Sequence, residues 1–240
     1  MSRLDRIKDF LLSLIYPERC TICDEVIDYN SEGICEDCKK KIKIIDNRCY
    51  KCGKQLVSET MQYCLDCQNR KHKYDRGYSL YVYNDDIKSS IYRFKYANRR
   101  RYARFYGREM AIHLGNEIKN FKPDALIPVP LHRRKMAKRG YNQATLLAEQ
   151  IGRQLDIPVL EDIIVREKDT QPLKLLRPEE RQKNLEKAFK IGNNDVKLNS
   201  IVIVDDIYTT GSTINEISGV FRAAGVNKIG FVSLASGSNI

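Results

Sequence analysis

The amino-acid sequence predicts an α/β fold, a mostly parallel sheet flanked by helices, preceded by a small cysteine-rich module. Strand-like and helix-like segments alternate over residues 124–234, which is the pattern of parallel strands joined by right-handed crossovers. All eight cysteines lie before this region, between Cys20 and Cys67. We therefore expect two domains, one over residues 1–70 and the other over residues 71–240.

The composition favours a partner that carries phosphate. The chain of 240 residues has a net charge of +11 and a pI near 9.2, and this excess of positive charge attracts phosphate esters and nucleic acids alike. Residues 1–15 have apolar side chains at helical spacing, but four charges interrupt them, at Asp5, Arg6, Lys8 and Asp9. We expect a helix that packs on the core, no membrane span and a cytoplasmic protein, with attachment to a membrane surface as the less favoured alternative.

The cysteines form two copies of one pattern. Each half of the region has two Cys-x-x-Cys pairs separated by eleven residues: Cys20, Cys23, Cys35 and Cys38, then Cys49, Cys52, Cys64 and Cys67. Four thiolates close a tetrahedral zinc site without an open position, so we predict two structural Zn²⁺ ions. Ligands from within each half are favoured over an interleaved set. A disulfide framework is the alternative, but cytosolic thiols stay reduced, and a redox motif needs only one such pair.

The next segment predicts one strand and two helices. Residues 77–83 are rich in Tyr and Val, and helical periodicity follows over residues 87–96 and 102–118. Basic and aromatic side chains alternate over residues 93–108. This segment can hold single-stranded DNA by phosphate contacts and base stacking. The favoured alternative is a helix pair whose aromatic rings pack inward while the cations face water.

A basic loop follows the first strand of the α/β domain. The strand is predicted over residues 123–130, the loop over 131–140 and a helix over 141–155. Cations at the carboxyl end of a strand suit a diphosphate, and the candidates are Arg133, Arg134, Lys135, Lys138 and Arg139. A solvated basic loop is the alternative.

The following region predicts a strand, an exposed excursion and a helix, over residues 159–166, 167–176 and 178–189. The excursion carries three cations, Arg166, Lys168 and Lys174, and can fold over a bound anion or act as a plain connector. A last strand is predicted over residues 228–234.

Residues 201–213 supply the most specific motif. Four β-branched residues, 201–204, predict a strand buried on both faces, with Asp205 and Asp206 at its carboxyl end. A loop of small residues then leads into a helix at 214–224, and its members are Thr209, Thr210, Gly211, Ser212 and Thr213. A helix start with free N–H groups binds phosphate, and the carboxylates can accept hydrogen bonds from vicinal hydroxyls. The motif predicts a ribose-5-phosphate site, with a capped helix after an acidic turn as the alternative.

This motif resembles the phosphoribosyl pyrophosphate (PRPP) motif of type I phosphoribosyltransferases, and every position is filled. The whole chain resembles the ComF family of competence-associated proteins. The resemblance rests on Tyr16-Pro17, the cysteine repeats, Phe94-Lys-Tyr96, residues 127–131 and 139–143, Thr170-Gln171, Arg181, Asn184 and the PRPP motif.

The resemblance implies a double zinc ribbon on a type I phosphoribosyltransferase-like domain with a role in DNA uptake. It implies Mg²⁺-dependent transfer of phosphoribose from PRPP to an unknown acceptor, with Asp205 and Asp206 as catalytic residues that hold the ribose hydroxyls. The alternative is a PRPP-sensing or single-stranded-DNA-binding adaptor that works with proteins of the competence machinery.

Overall fold

The computed structural model describes residues 17–28, 31–167, 188–192 and 197–237. Within these residues the helices are α1 (Glu36–Lys41), α2 (Leu65–Asn69), α3 (Asp85–Tyr96), α4 (Tyr102–Asn120), α5 (Arg133–Arg139), α6 (Gln143–Leu155) and α7 (Ser212–Ala223). The strands are β1 (Arg76–Val82), β2 (Ala125–Pro128), β3 (Ile164–Arg166), β4 (Phe189–Ile191), β5 (Ser200–Tyr208) and β6 (Lys228–Ser236). Four strands form one sheet in the order β1–β6–β5–β2, and all neighbours are parallel. The predicted α/β fold is confirmed.

The central strand β5 contributes side chains to two hydrophobic cores. Val202 and Val204 pack with α3, α4 and α6 on one face of the sheet, whereas Ile201 and Ile203 pack with α7 on the other. Successive side chains of a strand point to opposite faces, so a run of β-branched residues serves both cores. Each core also contains buried cysteines: Cys20 and Cys38 in the first, and Cys49, Cys52 and Cys64 in the second.

The predicted helices 87–96, 102–118 and 141–155 are confirmed as α3, α4 and α6. Two asparagines set the start of α3 and α6. Asn84 accepts a hydrogen bond from the backbone N–H of Ile87 at 2.9 Å, and Asn142 accepts one from Ala144 at 3.1 Å. These N-caps stabilise the first turn, and the second explains why α6 begins two residues after the predicted start.

The predicted strand over residues 159–166 is confirmed only at its end, where residues 164–166 form β3. Val159 makes a single parallel bridge to Leu126 at the edge of the sheet, and the chain then turns at residues 161–163. β3 instead pairs with β4 in a separate antiparallel ribbon. The charged pair Glu161 and Asp162 interrupts the apolar run at the turn. Phe189, the predicted end of a helix, lies in β4.

The predicted basic loop over residues 131–140 is wrong, since seven of its residues form α5. Its Arg, Lys, Met and Ala residues favour a helix. The His132 side chain accepts a hydrogen bond from the Arg134 N–H, and Gly140 ends the helix in the left-handed conformation, with φ 74°. The basic side chains therefore stand on a helix that follows β2.

Several predicted segments lie outside the described residues: the helix over 1–15, most of the excursion and of the helix that follows it, and Thr170, Gln171, Arg181 and Asn184. Within the described part of the chain, no helix combines the length and the apolar character that a membrane crossing requires.

Candidate functional site

Asp205 and Asp206 lie inside β5, near its carboxyl end. Their predicted place at the carboxyl end of the strand is confirmed, but the strand does not stop at Val204, because β5 continues to Tyr208 alongside β6. The neighbour on the other side, β2, ends at Pro128 opposite Val204. The two carboxylates therefore stand just beyond the end of β2, at the sheet edge where open α/β folds bind ligands.

The Asp205 carboxyl group is partly buried and binds its proton tightly. Burial, followed by the charge of Asp206, raises the pKa of Asp205 to about 7. The backbone N–H of Asp206, which donates to Asp205 Oδ1 at 2.8 Å, opposes this rise, as do the charges of Lys95 and Arg166. Asp205 is thus poised to change protonation state near neutral pH.

Asp206 forms an ion pair with Lys95 of α3. The Lys95 Nζ lies 2.6 Å from Asp206 Oδ2, and the two side chains are only 18% and 14% exposed. Lys95 is not among the predicted site residues, because it stands in the basic and aromatic segment 93–108. The available signal was its place in Phe94-Lys-Tyr96, one of the motifs on which the resemblance rests.

The loop of small residues leads from β5 into α7. Gly211 is the N-cap of α7 and has φ +75°, a conformation that favours glycine. Among the described residues, no side chain caps α7, so its first-turn N–H groups and the positive end of its dipole face the loop. The hydroxyls of Thr210 and Ser212 lie 2.9 Å apart. Thr209 is exposed, and Thr213 is partly buried.

Two buried tyrosines form the support beneath this loop. A Cβ atom at Gly211 would lie 2.4 Å from the Tyr208 hydroxyl oxygen, so the backbone of the loop rests directly on the Tyr208 side chain. The Tyr208 hydroxyl is 2.7 Å from that of Tyr74, and its ring stacks on Phe231 with centroids 4.7 Å apart. The position of the loop is therefore fixed by side chains of the core.

The basic side chains of α5 begin five residues after the end of β2. Arg133, Arg134 and Lys138 are exposed, while Lys135 and Arg139 are partly buried. Arg139 donates hydrogen bonds to Gln143 Oε1 and to the Tyr96 hydroxyl, both at 2.9 Å. Since Tyr96 follows Lys95, the contact places the end of α5 next to the helix that pairs with Asp206.

The eight cysteines form two clusters, and the prediction of ligands from within each half is confirmed. The four sulfur atoms of each half lie within 4.8 Å of one another. At equivalent positions of the two clusters, the Cys35 N–H donates to the Cys20 sulfur at 3.4 Å and the Cys64 N–H to the Cys49 sulfur at 3.3 Å. Four thiolates stabilised by N–H donors fit a structural zinc ion.

Comparison with known proteins agrees with both parts of this architecture. The family model of the double zinc ribbon domain matches residues 11–68, and that of the phosphoribosyl transferase domain matches residues 107–239. Competence protein F of Haemophilus influenzae is 35% identical over 222 residues, covering 90% of this chain and 96% of that protein. The chain belongs to the ComF family.

Two further relatives extend over most of the chain. Competence protein ComFC of Bacillus subtilis is 27% identical and covers 82% of this chain and 85% of its own length. DNA utilization protein YhgH of Escherichia coli K12 is 27% identical and covers 85% of this chain and 91% of its own length. The ComF-family resemblance drawn from the motifs is confirmed.

Residues 69–106 of this ComF-family chain lie between the two matched regions, yet they contribute to the site. They include Tyr74, which contacts Tyr208, and Lys95, which pairs with Asp206. The charge of Arg166, in β3, also acts on Asp205. These three residues could not be placed by local pattern, because their partners are distant in sequence.

The basic and aromatic segment 93–108 mostly serves the contact with the first cysteine cluster. Four of its aromatic side chains are buried: Phe94, Tyr102, Phe105 and Tyr106. Arg99 and the Tyr102 hydroxyl both contact the Asp24 carboxylate at 2.6 Å. The buried rings are unavailable to stacked bases, so the inward-packing alternative describes most of this segment. The large aromatic side chains exposed on α3 are Tyr92 and Tyr96.

Proposed function

We propose that this protein binds PRPP at the carboxyl edge of β5 and, with Mg²⁺, transfers the phosphoribosyl group to a nucleophilic acceptor. The bond between the ribose carbon C1 and diphosphate breaks, a bond from the acceptor to C1 forms, and the acceptor loses its proton. The observation that carries the proposal is the carboxylate pair Asp205 and Asp206 beside the uncapped start of α7.

The phosphate and ribose ends of PRPP suit this arrangement. The N–H groups at the start of α7 and the hydroxyls of the loop would hold the 5′-phosphate. The carboxylates of Asp205 and Asp206 would accept hydrogen bonds from the ribose hydroxyls. An ionised carboxylate is the stronger acceptor, so the pKa of Asp205 near 7 makes ribose binding dependent on pH.

The cations of α5 would stabilise the diphosphate as it leaves, when its negative charge grows. Arg133, Arg134, Lys135, Lys138 and Arg139 stand on one short helix at the end of β2. Two carboxylates beside a phosphate ligand fit Mg²⁺, which binds few protein oxygens together with substrate phosphates and would neutralise part of the diphosphate charge.

The names of the relatives concern competence and DNA utilization, and we propose that this chain acts in the handling of DNA taken up by the cell. We also propose the division into residues 1–70, with two structural zinc ions, and residues 71–240.

The exposed rings of Tyr92 and Tyr96 lie 4.9 Å apart. They favour, as a second candidate function, an adaptor that binds single-stranded DNA and competence proteins and only senses PRPP.

The decisive experiment incubates the protein with PRPP and Mg²⁺ and measures diphosphate release with candidate nucleophiles. The enzyme is supported by release that depends on the acceptor and is lost in the Asp205→Asn, Asp206→Asn double variant. The adaptor is supported by salt-dependent strand binding that this variant retains and that Tyr92→Ala weakens. A parent protein that neither binds nor consumes PRPP would contradict the proposal.

A further inference from the structure

The candidate site contains a cation that neither family model covers. Lys95 lies in α3, within residues 69–106, and its ammonium group is 2.6 Å from the Asp206 carboxylate. An ordinary surface ion pair keeps both partners in water and contributes little. Here the side chains are 18% and 14% exposed, so the pair is largely shielded from water.

Both neighbours of Lys95 make hydrogen bonds, Phe94 through its backbone and Tyr96 through its side chain. The Phe94 side chain is fully buried, and its carbonyl oxygen accepts a hydrogen bond from the Tyr141 hydroxyl. The Tyr96 hydroxyl accepts one from Arg139 at 2.9 Å. Lys95 therefore stands between two residues that are held by hydrogen bonds, and its long side chain can move between acceptors within reach. The contact with Arg139 also places Lys95 beside the proposed diphosphate helix.

In the proposed function, a ribose hydroxyl and Lys95 are ligands of the same carboxylate. Asp206 Oδ2 accepts the lysine ammonium, and the proposed function gives this carboxylate a ribose hydroxyl as its ligand. An ammonium group displaced from Asp206 would be left partly buried without its counter-charge, which is unfavourable. The diphosphate of PRPP, attached to the same ribose, supplies new anionic oxygens close by. A lysine can bind them as a point charge.

We propose that Lys95 is a substrate-binding residue of the phosphoribosyl site, holding Asp206 in the absence of ligand and the diphosphate oxygens of PRPP in its presence. This inference rests on the proposed function. Lys95 thereby balances the charge of Asp206 before binding and frees Asp206 for the ribose as the diphosphate arrives. This role makes α3, which lies between the two regions matched by the family models, part of the substrate site.

The test compares Lys95→Met with Lys88→Met, by calorimetry with PRPP and Mg²⁺. Lys88 is the matched control, because it lies two turns earlier on α3 and its side chain is exposed. Among the described residues, its only ion pair is with Asp85, at 3.4 Å. Loss of one charge-assisted contact should weaken PRPP binding about 10- to 100-fold in Lys95→Met. The control should change it less than about twofold, and Lys95→Arg should recover part of the affinity.

Ribose 5-phosphate, which lacks the diphosphate, separates contact with the substrate from mere positioning of Asp206. Its affinity, measured by competition with PRPP, should change little in Lys95→Met. An equal loss for both ligands would overturn the inference, since Lys95 would then act only through Asp206. Unchanged PRPP affinity would overturn it as well. Lys95→Gln repeats the comparison if Lys95→Met does not fold, and failure of the parent to bind PRPP would refute the proposed function itself.

Discussion

The hydroxyl groups of Tyr74 and Tyr208 lie 2.7 Å apart in the core beneath Gly211. Tyr74 also stacks on His72, with ring centroids 4.9 Å apart, and the His72 Nε2 is 3.6 Å from the Cys67 sulfur. These contacts link the second cysteine cluster to the turn that begins α7. The zinc-binding part of the chain and the proposed phosphate loop thus share one packed unit.

Removing the Tyr74 hydroxyl tests this link. Tyr74→Phe leaves the buried Tyr208 hydroxyl without this hydrogen bond, which should lower the free energy of unfolding by about 1–3 kcal/mol. Tyr50→Phe is the control, since its ring is 52% exposed. Urea unfolding of both variants measures the difference. Equal stabilities would show that the contact between the two tyrosines contributes nothing to the fold.

Gly211 should resist substitution for two separable reasons. An alanine there must adopt φ +75°, and its Cβ would collide with the Tyr208 side chain. Gly225 has φ +89°, but no atom of the described residues lies within 4 Å of the added Cβ, so Gly225→Ala carries the backbone strain alone, about 1–3 kcal/mol. Thermal unfolding should show a larger loss for Gly211→Ala. A loss no greater than that of the control would contradict the close contact with Tyr208.

Asp205 should make the protein less stable as the pH rises. Its pKa is about 7 in the folded state, against a usual 3.8, so the folded protein binds this proton more tightly than the unfolded chain does. The contribution of Asp205 to the unfolding free energy therefore falls between about pH 4 and pH 7 and is constant above. Asp205→Asn should match the parent at pH 4 and exceed it by on the order of 2–4 kcal/mol at pH 8. Parallel pH profiles would refute the raised pKa.

The zinc sites should stabilise the α/β domain as well as the ribbons. Cys20 and Cys38 lie in the same core as Phe94 and Tyr106, and metal binding is coupled to folding. Metal analysis of the reduced protein should find two zinc ions per chain, and Cys35→Ser should retain one. The variant should melt at a lower temperature in a single transition. A separate, unshifted transition of the α/β domain would contradict this coupling.

Local spacing was sufficient to predict much of this structure. The β-branched run at residues 201–204, the periodicity of α3 and α4, and the two cysteine quartets are all patterns within a short stretch of sequence. The extent of β5 is not such a pattern, because pairing with β6 extends it through Asp205 and Asp206. The prediction also missed α5, because a cluster of cations was interpreted as a solvated loop although its residues individually favour a helix.

The residues whose roles were not predicted have contact partners that are distant in sequence. Lys95 belongs to α3 and Asp206 to β5, and no short sequence motif contains both residues. Arg99 resembles a solvent-facing cation in the sequence, yet it contacts Asp24 beside the first cysteine cluster. In both cases the identity of the partner decides the role of the charge, and only the folded chain supplies the partner.

The carboxylate pair of β5 is the central feature of the proposed site, and the affinity for PRPP tests its role most directly. Asp205→Asn with Asp206→Asn preserves side-chain shape and removes both charges. Calorimetry with Mg²⁺ should show PRPP binding weakened by about two to four orders of magnitude, at roughly 1.5–3 kcal/mol for each charge-assisted hydrogen bond. Equal affinities in the folded parent and the folded double variant would contradict the assignment of these residues to the ribose.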